Sequence, residues 1–248
     1  MSAWYKKLFG RPYLDLYAHR DQKEAEREVR TIISFLGLDK EHTLLDLCCG
    51  AGRHLLALYR AGYKNLYGLD LSEELLEVAS RRLFRAGASH ITFLHSDMRH
   101  IPYKCFFNTV ISLFTSFGYF ESDEENRKVF EAVFLSLRKG GVFLLDYINK
   151  QYVLDNLVKN DTWKLNGKKV KNERNISGNK KFIRKIITVI TGDGKEQVFN
   201  EEVRLYSSRE ISAMLGSTGF TDIRAYGSLD GETLSDDSKR LVITCRKK

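Results

Sequence analysis

Three aspartates define the chemistry open to this chain, because each closes a short apolar run. Leu44-Leu45-Asp46-Leu47 leads into Cys48-Cys49-Gly50-Ala51-Gly52-Arg53-His54, and Leu66-Tyr67-Gly68-Leu69-Asp70 leads into Leu71-Ser72. The third run, Ile91-Thr92-Phe93-Leu94-His95-Ser96-Asp97, leads into Met98. Such runs read as buried strands, and Leu55, Leu56 and Leu58 give the segment after the first one a helical apolar face. Glycine at 50 and 52 permits a sharp turn and lets the backbone come within contact distance of a ligand. An acid closing the second strand can accept from both hydroxyls of a ribose. Asp97 can accept from an exocyclic amine while Met98 packs on an aromatic ring. A dinucleotide fingerprint would need a third glycine where Leu55 stands. Asp46 would also repel a pyrophosphate; it suits a ligand that carries positive charge.

With these residues in view, the sequence resembles the class I S-adenosylmethionine-dependent methyltransferases, most strongly over residues 13–148. By that resemblance, Asp46, Gly50 and Gly52 line the methionine part of the cofactor, and Cys48, Arg53 and Leu113 count as further cofactor contacts. Asp70 would hold the ribose with Leu71 against adenine, and Asp97 with Met98 would hold the adenine amine and face. The family pattern D-x-G-x-G-x-G has Cys48 at its first glycine here, which implies a slightly altered turn rather than a lost site. N-terminal aromatic segments of this family often fold over the cofactor, so Tyr17 and Arg20 are candidates for its amino-acid end.

With 248 residues, 43% of them hydrophobic, the chain can bury a full core. No stretch approaches the ~20 apolar residues that span a bilayer, and the first residues lack the apolar centre of a signal peptide. Cys48, Cys49, Cys105 and Cys245 show neither zinc spacing nor a disulfide framework, so a reduced cytoplasmic setting and no metal are expected. The net charge of +8 is concentrated: residues 159–185 hold ten basic residues against two acids, which accounts for all of it.

The elements that must position the aspartates follow in order. Residues 2–9 suggest a short helix broken by Arg11-Pro12, and 21–36 a charged helix stopped by Gly37. Strands and helices alternate over 43–147, with a fourth strand at 108–113, a helix capped by Asp123 and ending near Lys139-Gly140-Gly141, and a fifth strand at 142–147. This spacing implies parallel βαβ units with ligands at the carboxyl ends of the strands. Asn166-Gly167, Gly178-Asn179 and Gly192-Asp193-Gly194 are hairpin turns in an inserted antiparallel segment. Within it Phe182, Ile183, Ile186, Ile187, Val189 and Ile190 are the expected buried residues. Ser207 to Glu210 form a capping box, and 221–227 and 241–246 supply a last hairpin. The expected fold is therefore α/β, a Rossmann-like seven-stranded mostly parallel sheet with an antiparallel β insertion after the fifth strand. Residues 1–40 form a helical cap, 41–150 with 207–248 the cofactor-binding domain, and 151–206 a β lid.

Methyl transfer is an in-line displacement that needs alignment more than a universal catalytic residue. Ser112-Leu113-Phe114-Thr115 replaces the Asn/Asp-Pro-Pro-aromatic motif of base-amine methylation, and no cysteine sits in a Pro-Cys or Thr-Cys site for cytosine C5 chemistry. Phe117, Tyr119, Tyr147 and Asn149 follow the fourth and fifth strands and are expected to face the acceptor, with Tyr119 or His19 as candidate bases. Asp230-Gly231, Ser238 and Arg240 are further candidates from the last hairpin. The expected partner is a small-molecule methyl acceptor taking the group on nitrogen or oxygen. The alternatives are an RNA or protein acceptor held by the basic segment 159–185, and a non-catalytic cofactor-binding protein.

Overall fold

The computed structural model describes residues 4–17 and 21–248. Proline 12 does not simply break the N-terminal segment. A first helix, α1 (Trp4–Leu8), is followed by a second, α2 (Arg11–Leu16), with Pro12 in its first turn. There a proline has no intrahelical N–H bond to lose, and its fixed φ suits the helix. α3 (Gln22–Leu36) begins where the Asp21 side chain accepts from the Glu24 amide at 2.7 Å, and stops at Gly37 in the left-handed conformation.

The alternating body comprises β1 (Leu44–Leu47), α4 (Arg53–Arg60), β2 (Leu66–Asp70), α5 (Glu73–Arg85), β3 (Thr92–His95), β4 (Phe107–Ser112), α6 (Asp123–Ser136) and β5 (Leu137–Ile148). Ser122, not Asp123, caps α6, its hydroxyl accepting from the Glu125 amide. Asp123 is the first helical residue and is used elsewhere. α6 stops at Ser136, short of the expected Lys139-Gly140-Gly141, because β5 already pairs with β4 at Leu137. After α7 (Lys150–Asp155) come β6 (Asn160–Leu165), β7 (Lys168–Ile176), β8 (Phe182–Ile190) and β9 (Glu196–Arg204). α8 (Ser208–Thr218) opens on the expected capping box, and β10 (Phe220–Tyr226) and β11 (Arg240–Lys247) end the chain.

The main sheet has seven strands in the order β10-β11-β5-β4-β1-β2-β3. β1 to β5 are parallel, whereas β11 runs antiparallel to both β5 and β10. Side-chain alternation along each strand supplies two cores. Leu44, Ile111 and Leu144 meet α3, α4 and α5 on one face, while Leu45, Leu47, Val110, Phe143 and Leu145 meet α6 and α8 on the other. β6 to β9 form a separate four-stranded antiparallel sheet. It buries one face only: Val170, Ile187 and Val189 pack on Leu8 and Leu16 of the N-terminal helices. Ile186, on the opposite face, is correspondingly exposed rather than buried.

Arg204 at the end of β9 ties this second sheet to the body. Only 4% exposed, it donates to Asp123 at 3.1 Å and to the carbonyls of Leu205 and Lys181 at 2.8 and 3.3 Å. Its own carbonyl accepts from the buried Tyr147 hydroxyl. Removing the guanidinium leaves the buried Leu205 carbonyl without its donor, frees the half-buried contacts to Asp123 and Lys181, and empties the space the side chain fills. We therefore expect Arg204→Ala to cost about 3 kcal/mol and to lower Tm by roughly 6–12 °C. Thermal and urea unfolding check this, and a loss below about 1 kcal/mol would show that water replaces the side chain.

Candidate active site

A cavity of about 920 Å³ opens at the carboxyl ends of β1, β2 and β4. Its floor is the turn between β1 and α4. Cys48 has φ 65°, Gly50 φ 51° and Gly52 φ 72°, so left-handed residues alternate through the turn. A non-glycine residue is strained there by about 1–2 kcal/mol. Cys48 thus adopts the backbone a glycine would, and the turn survives the substitution. Gly52 does not line the cavity. A Cβ on it would lie 3.0 Å from both Ala79 and Leu83, so this glycine lets α5 pack under the turn.

Asp46 is 2% exposed, and among the described residues its Oδ2 has no hydrogen-bond partner although the residue borders the cavity. Burial raises its pKa from 3.8 to about 6; His54 and Arg53 pull it down, and Asp70 pushes it up. Asp70 is also buried, and its carboxylate accepts from the Gly50 amide at 2.8 Å and the Ser72 amide at 2.9 Å. Burial raises the Asp70 pKa, and those amides oppose the rise. The second strand end is thereby laced to the glycine turn. Asp97 is gripped by Arg99, at 3.0 Å to one oxygen and 2.7 Å to the other. Burial pushes this carboxyl up, but the Arg99 hydrogen bonds prevail and hold it below its usual value. Leu71, Met98, Leu113 and Arg53 line the cavity as well, Arg53 paired with Glu24 at 3.3 Å.

The roof is aromatic. Phe9, Tyr13 and Tyr17 from the N-terminal helices and Tyr119 from the loop after β4 face the cavity, with ring centres 4.7 to 5.7 Å apart along the series. Glu201 of β9 enters from the inserted sheet. Burial, and next the charge of Glu201, raise the Tyr119 phenol well above its usual value. Tyr119 therefore stays protonated and is suited to donate a hydrogen bond, not to act as the base. Arg20 and His19 lie outside the described residues.

Three expected acceptor contacts are not on the cavity wall. Phe117 is 1% exposed and stacks on Phe130 with ring centres 4.4 Å apart. Phe114 and Thr115 both have positive φ, at 57° and 63°, and this twist sends Phe117 into the core and returns Tyr119 to the cavity. Tyr147 shares the face of Phe143 and Leu145, away from the site, and bonds Arg204. Asn149 caps α7 and donates to the carbonyls of Ser235 and Ser238 at 2.9 and 2.8 Å. Arg240 is likewise engaged, donating to Asp146 at 2.7 Å and Thr115 at 3.0 Å. Asp230, Gly231 and Ser238 do not border the cavity. Arg99, Tyr13 and Glu201 were missed. The signal for Glu201 was an acid between Phe199 and Val203 in an alternating strand.

Comparison with known proteins agrees with this geometry. Residues 44–141 match the family described as "Methyltransferase domain". Over 104 residues the chain is 34% identical to a dTDP-3-amino-3,4,6-trideoxy-alpha-D-glucopyranose N,N-dimethyltransferase of Streptomyces venezuelae, covering 42% of this chain and 41% of that protein. A glycine/sarcosine N-methyltransferase of Aphanothece halophytica is 28% identical over 238 residues, covering 92% of this chain and 83% of its own length. Among solved structures, an S-adenosylmethionine-dependent methyltransferase from Clostridium acetobutylicum superposes with a TM-score of 0.78 at 21% identity, covering 98% and 96% of the two chains. Residues 44–141 thus match a methyltransferase domain, and the whole chain shares its fold with that solved S-adenosylmethionine-dependent enzyme. The residues present fit S-adenosylmethionine: an orphaned carboxylate oxygen awaits a cation, and a second carboxylate closes the adjacent strand.

Asp46 makes that fit measurable. Between pH 3.8 and about 6 the folded chain keeps a proton that the unfolded chain has released. Stability therefore falls as pH rises through this window, by on the order of 3 kcal/mol. A cation beside Oδ2 favours the carboxylate and reverses the effect. At pH 6, S-adenosylmethionine binding is expected to release up to about half a proton, read from calorimetry in buffers of different ionisation enthalpy. Asp46→Asn should abolish the release and stabilise the free protein above pH 6. No release from the wild type would place the ligand's charge elsewhere.

Proposed function

We propose that this chain is an S-adenosylmethionine-dependent methyltransferase acting on a small-molecule acceptor through nitrogen or oxygen, with an amine favoured. The observation that carries this reading is a single cavity running from Asp46, Gly50 and Asp70 to a roof of tyrosines and one carboxylate. Its volume lies at the upper end of the roughly 300–1,000 Å³ of small-molecule sites, which suits a donor and a small acceptor side by side. The relatives named above act on an amino sugar and on glycine or sarcosine, all nitrogen acceptors.

When bound, S-adenosylmethionine supplies an electrophilic methyl group on a positively charged sulfur. Asp46 compensates positive charge, Asp70 holds a diol, and Asp97 with Met98 receives the adenine edge and face. The left-handed Phe114-Thr115 segment, fixed by Asp146 accepting from the Phe114 amide at 2.9 Å, shapes the wall where donor and acceptor must align. The N-terminal helices and the inserted sheet act as a lid, excluding water and holding the acceptor in line. The four cysteines are free thiols, in keeping with a reducing cytoplasmic setting.

A panel of amino sugars, glycine and N-methylglycine, with alcohol counterparts, incubated with labelled S-adenosylmethionine tests the reading. Transfer to at least one amine is expected. Asp70→Ala should weaken product binding by about a hundredfold, the equivalent of 2–3 kcal/mol. Failure of the wild type to bind S-adenosylhomocysteine would overturn the reading.

The RNA alternative loses support because four of the ten basic residues of the segment are held in ion pairs, one within the segment and three with acids outside it. Arg174 pairs with Asp161 at 2.5 Å, Lys185 with Glu201 at 3.5 Å and Lys168 with Asp15 at 3.9 Å, while Arg184 pairs with Glu202. RNA binding is expected to be weak and to vanish near physiological salt in gel-shift titrations. Retention that survives physiological salt would restore that alternative.

A further inference from the structure

Resting on the methyltransferase reading, we propose that Glu201 is the anionic anchor that receives the acceptor's amino group as an ammonium and takes the proton it must lose before the nitrogen's lone pair attacks the methyl group, so that the inserted sheet sets acceptor specificity. Glu201 stands directly across from Lys185 in the β8–β9 register, in the inward row that also contains Phe199 and Val203. Lys185 is its ion-pair partner. The ammonium lies 3.5 Å from Oε2 itself, yet among the described residues the buried Oε2 accepts no well-formed hydrogen bond. Lys185 instead donates to the Tyr17 hydroxyl at 3.0 Å. A buried carboxylate oxygen without a donor is costly, and an ammonium N–H is the ligand group that repairs it.

The surroundings favour the same ligand. Tyr13, Tyr17 and Tyr119 place aromatic rings on the cavity beside Glu201, and ring faces attract an alkylated ammonium. The resident example is Lys185 itself, whose ammonium lies 5.4 Å from the centre of the Tyr17 ring. Lys6 and Lys7 also border the cavity, but from exposed positions where solvent screens their charge. An uncharged hydroxyl acceptor would gain neither the carboxylate nor the ring faces. Carboxylate and rings together single out amines and their N-methylated products.

The test uses the full chain saturated with S-adenosylhomocysteine. Its ligands are ethanolamine, its N-methyl and N,N-dimethyl derivatives, and 3-methylbutan-1-ol as the uncharged counterpart of the dimethyl derivative. Calorimetric competition should show the wild type preferring the ammonium ligands by about tenfold or more over the neutral alcohol. Glu201→Gln should erase that preference while leaving S-adenosylhomocysteine affinity unchanged, which also shows that the variant folds. Lys185→Gln removes the competing cation and should widen the preference. A wild type that does not discriminate, or a Glu201→Gln protein that still does, overturns the assignment of Glu201. If S-adenosylhomocysteine itself fails to saturate the wild type, it is the methyltransferase reading that fails.

Discussion

A carboxylate buried at the centre of the sheet, with one oxygen unpartnered among the described residues, constrains the rest of this molecule. Asp46 sits on β1, between β2 and β4, where burial, the largest cause, lifts its pKa to about 6 against the pull of His54 and Arg53. Such a group persists only if the surrounding backbone cannot relax to cover it. The turn that follows is held open by three left-handed residues, one of them a cysteine under strain of about 1–2 kcal/mol. Asp70 pins Gly50 from the next strand, and α5 packs against Gly52. Turn, strand end and helix therefore form one unit on which the cavity is floored, with Asp46 at its border.

The cavity's second half depends on a different set of contacts. The inserted sheet touches the body through Arg204, Asp123 and Tyr147, and reaches the N-terminal helices through Leu8 and Leu16. The roof is thus built from the two parts of the chain that lie outside the parallel sheet. Its residues meet across long sequence separations: Tyr17 with Lys185, and Asp15 with Lys168. A floor laid by the parallel sheet and a roof assembled separately leave the two halves of the cavity free to vary independently.

Much of the fold was legible because its signals are local. Asp21 and Gly37 bound α3, Ser207 and Glu210 form their capping box, and the strand ends at Asp46 and Asp70 fall where the alternation of apolar runs and helices requires. Errors arose where a local signal competed with a pairing partner. Lys139-Gly140-Gly141 resembles a helix stop, yet β4 recruits the chain into β5 from Leu137. Pro12 resembles a breaker, yet a helix start tolerates it.

What the sequence determined by itself was the floor: acids at strand ends, a small-residue turn between strand and helix, and a charge pattern suited to a cationic ligand. These follow from neighbours a few residues apart, through backbone geometry and side-chain period. What only the tertiary structure decided was the acceptor end. Phe117 and Tyr147 looked equivalent to Tyr119 along the chain, but two left-handed residues after β4 and the pleat of β5 turned them into the core. Glu201 is brought to the cavity because its sheet buries one face against the N-terminal helices. Which side of a strand is covered depends on what packs there, and residues nearly two hundred positions earlier supplied the cover.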